Sequence, residues 1–188
     1  MFFDIEKLIG FAAYVMKKMG SSSIQYIMLI KLMYLSDRRS VELYDHTISN
    51  DNFVSMDRGP VLSRLLNLIH CECAPELQKN WDMYFKTCEH HVTIISNDAE
   101  EKIDNLSRAE MKVIDEIVSE FGKRDVWELI DTHMHALPEW KNPNGSSIPI
   151  KLEDIMRALN KSEDEIKSTL EENEEYRKEA ERCRRILA

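Results

Sequence analysis

Apolar residues recur at helical spacing from the start of the chain. Ile5, Leu8, Ile9, Ala12 and Met16 share one face, and Asp4 stands where a cap would accept the first free N–H groups. The pattern predicts a helix over 4–19, closed by Gly20 and the serines at 21–23. From Ile24 to Leu35 the residues are apolar almost all round, the mark of a helix buried on most faces. This second helical region extends to Tyr44, with a break expected near Asp37. Lys31 lies inside the apolar run and reads as a snorkelling side chain whose amine reaches water.

Weak alternation over 47–56, around the turn formers Asn50, Asp51 and Asn52, predicts a short strand at 53–56. Arg58-Gly59-Pro60 ends it. Gly59 admits a backbone angle that other residues resist, and Pro60 has its φ pre-set for a first helical turn. A third helix is therefore expected over 60–70, with Leu62, Leu65, Leu66 and Ile69 on one side. Residues 84–87 and 92–95 read as strands joined through Glu89, His90 and His91. Together with 53–56 they are expected to form one small antiparallel sheet.

Three acidic capping patterns mark later helix starts: Ser107 with Glu110, Asp125 with Glu128, and Ser162 with Glu165. They predict helices over 107–121, 125–133 and from 162 to about 186, with a short helix over 151–159 between them. Residues 138–149 read as a loop carrying Trp140. The last helix is acidic over 163–175 and basic over 177–185, an order that suits the helix dipole. The expected fold is mainly α: a compact helical domain over 1–160 with a small antiparallel sheet, and a charged C-terminal helix over 161–188 packed on it or extending from it.

With 188 residues, 43% apolar and only five glycines, the chain can bury a core without staples. Its net charge of −9 argues against a nucleic-acid partner. The N-terminus lacks the basic region and cleavage site of a secretory signal, and no apolar run is long enough to span a bilayer. These features point to the cytoplasm, where Cys71, Cys73, Cys88 and Cys183 would be reduced thiols.

Candidate chemistry is sparse. His70, Cys71, Cys73, Cys88, His90 and His91 lack the paired spacing of a zinc site, so no metal and no cofactor are expected. His133 and His135 form an HxH pair near Asp131 and Glu139, but there is no HExxH, no GxSxG and no phosphate-cradling glycine motif. No catalytic residue is assigned, and the chain is expected not to be an enzyme; the enzymatic alternative would place a site around His133 and Asp37. Trp140 beside Pro138 reads either as a lid over the core or as an interface anchor.

Four stretches in order resemble one family. KLMYLSDR at 31–38 and ISNDNFVSMDRGPVLSRL at 48–65 are similar to its helix, turn, short strand and Gly-Pro-Val segment. LSRAEMKVIDEIVSEFG at 106–122 is similar to its capped helix, and THMHALPEW at 132–140 to its histidine, proline and tryptophan segment. The family is the Panacea domain, also described as SocA-like antitoxins or phage-associated proteins. The resemblance implies an antitoxin that neutralises a cognate protein toxin, encoded nearby, by direct binding. An alternative within the family is a proteolytic adaptor that delivers the toxin to a AAA+ protease.

Asp37, Gly59, Pro60, His133, Pro138 and Trp140 match the family's motif positions, and His135 gives a second alignment to the family histidine. Arg38 and Arg58 flank those positions. The final helix lies largely beyond the resemblance. A contact surface made from Trp140 with Glu172, Tyr176 and Arg177 is the expected route to the toxin.

Overall fold

The computed structural model describes residues 2–187, excepting the side chains at 177, 180, 181 and 184–187. Helix α1 (Ile5–Lys18) starts where Asp4 accepts the N–H groups of Glu6 and Lys7. Leu8 through Met16 are buried without interruption, so α1 lies within the core. Strand β1 (Ser23–Gln25) follows, then α2 (Tyr26–Tyr44). The break expected near Asp37 is absent. Its carboxylate instead accepts the N–H groups of Ile48 and Ser49 and the Ser49 hydroxyl, so it ties down the next loop.

Strand β2 (Phe53–Met56) lies where alternation places it. The helix expected from residue 60 does not start there: Gly59 and Pro60 open a strand, β3 (Gly59–Leu62), and α3 begins later (Ser63–Ile69). Strands β2 and β3 form an antiparallel hairpin in which Met56 faces Gly59 and Phe53 faces Leu62. Gly59 has φ +88°, in the left-handed region that closes the tight turn at Asp57-Arg58. Pro60 is tolerated because β3 is an edge strand, where a missing N–H need not break the ladder. Asp51 caps α3 from a distance, accepting the N–H groups of Arg64 and Leu65.

Helix α4 (Pro75–Asp82), not expected from the sequence pattern, buries Trp81 against Phe85 with their rings stacked 4.2 Å apart. Strands β4 (Phe85–Cys88) and β5 (His91–Ile94) form the expected second hairpin. Helix α5 (Arg108–Phe121) starts at the Ser107–Glu110 capping box. Gly122 ends it in an ordinary helical conformation. What demands glycine there is space, since a Cβ would lie 2.6 Å from the Met19 sulfur. Helix α6 (Val126–Leu129), capped by Asp125, runs on into one π turn over 130–134. Strand β6 (Ile148–Ile150), α7 (Leu152–Ala158) and α8 (Glu163–Leu187) complete the chain.

The fold is mainly α with minor antiparallel β. The one sheet expected is two, ordered β1-β5-β4 and β3-β2-β6. The reason lies in short partners close at hand: β1 pairs its buried Ile24 with the buried Val92, while β2 is flanked by β3 and β6. Helix α8 docks by its first turns, where Ile166 is buried and Leu170 half-buried, whereas Tyr176 further along is 57% exposed.

Candidate functional site

The β2–β3 hairpin is held from two directions. From α2, the Lys31 amine donates to the carbonyl of Pro60 at 2.8 Å. From the segment after α6, a His135 ring nitrogen lies 3.0 Å from the Asp57 carbonyl, and the Trp140 indole N–H donates to the Met56 carbonyl at 3.0 Å. The His135 and Trp140 rings stack 4.3 Å apart, and the Gly145 N–H donates to the Asp57 carboxylate. Gly59 is needed twice over: besides its φ, a Cβ there would sit 2.7 Å from the Met134 Cβ and 3.5 Å from the Lys31 amine. The π turn carries Met134 to this contact and leaves His135 to cover the hairpin tip.

Lys31 does not snorkel. It is 1% exposed, because the carbonyl of Pro60 gives its amine an acceptor inside the protein. Burial, with the nearby positive charge of Arg58, lowers its pKa from 10.5 to about 7. The side chain borders a small groove of about 230 Å³, walled by Tyr26, Ile30, Met56, Val61 and Leu66 and edged by Arg58. Arg58 is exposed and lays its guanidinium 5.0 Å from the centre of the Trp127 ring, itself 50% exposed.

Other polar groups are spent within the chain. Asp37 is buried with three donors on its carboxylate, and burial outweighs them to push its pKa up to about 7. Glu139 is buried and accepts from the Arg38 guanidinium at 2.7 Å and from the Tyr34 hydroxyl at 3.0 Å. That arrangement explains Arg38, next to Asp37 in sequence but aimed at another partner. His133 lies against Thr132, Arg124 and the edge of Phe121, and it shares no hydrogen bond with Asp37. Among the described residues no three His, Cys, Asp or Glu side chains group as a metal ion would require.

Of the proposed contact surface, Glu172 and Tyr176 are exposed on α8, and the side chain of Arg177 lies outside the described residues. Pro138 is exposed. Trp140 does not stand clear of the core; it is half-buried and tied to the hairpin.

The model of the antitoxin SocA-like Panacea domain matches residues 29–141, more than half of the chain. The chain belongs to the Panacea domain family. No curated protein and no solved structure matches it. The Panacea match starts two residues before Lys31 and ends one residue after Trp140, so it spans both clamps on the hairpin. Helix α1, strands β1 and β6 and helices α7 and α8 lie outside it. Among the described residues no helix is long and apolar enough to cross a membrane.

Lys31, Trp127, His135 and Glu139 are the site residues that sequence reasoning passed over or misjudged. A lysine inside an apolar helical run was a usable signal for Lys31. Nothing local marks Trp127, whose role depends on where Arg58 lands.

Proposed function

We propose that this Panacea domain neutralises a cognate protein toxin by binding it directly, without catalysing a reaction. Membership of a family named for an antitoxin carries this reading. The geometry supports it: within the matched region the buried carboxylates of Asp37, Asp51 and Glu139 each hold the protein's own loops or side chains. These groups build a scaffold. The same region exposes Arg58 and Trp127 side by side, residue types that anchor protein interfaces.

The test is a purified mixture of this protein and the product of the adjacent gene. The neighbour alone should arrest growth when expressed. Co-expression should restore growth, and the two proteins should elute together from a sizing column. Inhibition of the purified toxin, with no protease in the tube, separates binding from delivery for degradation. A neighbour that is harmless alone, or rescue without a complex, defeats the reading.

A further inference from the structure

The groove beside Arg58 is bordered by an amine, that of Lys31, for which the protein supplies no counter-charge. Lys31 is buried against apolar walls, and the carbonyl of Pro60 occupies only one of its three possible N–H bonds. Among the described residues neither Lys31 nor Arg58 has an ion-pair partner; Asp57, the acid on the groove's edge, receives the Gly145 N–H. An ammonium in such surroundings is strongly unfavourable unless something of opposite charge arrives.

We propose that this groove receives an acidic side chain, flanked by apolar ones, from the protein partner of this antitoxin. The proposal rests on the direct-binding reading above. Three observations select that occupant. The groove, at about 230 Å³, is smaller than the roughly 300 Å³ at which small-molecule pockets begin, so it suits an anchoring side chain. Two basic groups, Lys31 and Arg58, face one acid, Asp57, in the lining, so the balance of charge is positive and charge complementarity calls for a carboxylate. Arg58 is exposed beside Trp127, and among the described residues its guanidinium makes no hydrogen bond or ion pair, so its fork of donors can take a bidentate contact. The partner's apolar neighbours would lie on Tyr26, Ile30 and Leu66.

The probes are two blocked tripeptides, acetyl-Leu-Glu-Leu-amide and its Gln counterpart, titrated into the ¹⁵N-labelled full chain and followed by NMR. The Glu peptide should shift the Trp127 indole N–H and the amides of Arg58 and Gly59 saturably. It should bind about tenfold more tightly than the Gln peptide, as a charge-assisted bond predicts. Lys31→Met and Arg58→Gln, each checked for a dispersed spectrum, should each reduce that preference. Equal binding of the two peptides, no binding in the millimolar range, shifts that map elsewhere, or a preference that survives both substitutions would overturn the proposal. Growth rescue by the unaltered chain reads the antitoxin assignment alone. If that rescue holds while Arg58→Gln and Lys31→Met rescue equally well, the groove proposal falls and the assignment stands.

Discussion

Lys31→Met should make this protein more stable at acidic pH, and the advantage should fade as pH rises. The folded pKa of Lys31, about 7, lies below the unfolded value of 10.5. Between these values the unfolded chain binds more protons, so the Lys31 contribution to stability rises with pH across that window. Below pH 7 the lysine is charged in both states and its penalty is fully present. At 1.36 kcal/mol per pKa unit the displacement corresponds to at most about 5 kcal/mol. Methionine fills a similar length without charge, but it leaves the Pro60 carbonyl without its donor, which costs about 1–3 kcal/mol. The net gain at pH 6 is therefore about 2–4 kcal/mol.

Urea denaturation followed by far-UV circular dichroism at pH 6, 7, 8 and 9 gives the comparison. From pH 7 upward the gap between variant and parent should close by about 1.4 kcal/mol per pH unit. By pH 9 it should lie within about 1 kcal/mol of zero. The parent's own profile is not the readout, because Asp37 runs the other way. Its folded pKa, about 7, lies above the unfolded 3.8, so its contribution falls as pH rises from about 4 to 7. The difference between the two proteins cancels that term. A gap that stays constant from pH 6 to 9, or a variant less stable at pH 6, would refute the account of Lys31 as a buried, uncompensated cation.

Gly59→Val places a β-branched residue at φ +88° with its Cβ 2.7 Å from that of Met134, and should lower stability by at least about 1–3 kcal/mol in chemical denaturation. Glu139→Gln leaves the Arg38 guanidinium without its buried counter-charge and should cost about 3–5 kcal/mol, whereas the same change at exposed Glu172 should be neutral within about 0.5 kcal/mol. Asp51→Ala removes the acceptor for the N–H groups of Asn52, Arg64 and Leu65; a loss of about 1–2 kcal/mol and faster amide exchange confined to those three residues are expected.

Elements specified by neighbouring residues were legible from the sequence. The cap at Asp4, the box at Ser107 and Glu110 and the strand at 53–56 all lie where local rules place them. Pro60 misled because its fixed φ suits both a first helical turn and an edge strand. The choice between them was made by β2, which offers β3 a partner. Helix α4 was invisible to periodicity because only Trp81 in it is buried. Trp140 was open between a lid and an interface anchor, and Trp127 carried no expectation, for a similar reason. A loop position suggests exposure, but the Met56 carbonyl that captures the Trp140 indole lies 84 residues away. Trp127, by contrast, sits in a capped helix yet is half exposed beneath Arg58.

The resemblance and the geometry meet in the spacing of the family's stretches. Lys31 holds β3 at Pro60, His135 and Trp140 hold the turn and β2, and at Gly59 the hairpin closes on both Lys31 of α2 and Met134 of the π turn. A hairpin fastened at each of these points cannot shift register without breaking several bonds at once. Its tip residue, Arg58, is thus presented at a fixed place with little ordering left to lose on binding. A domain of this kind can keep its matched interior while changing what stands at positions 58 and 127, because neither side chain is needed for the clamp. The consequence can be measured: substitutions at Arg58 or Trp127 should alter partner affinity with stability held within about 0.5 kcal/mol, whereas His135→Ala and Trp140→Ala should lower the melting temperature first.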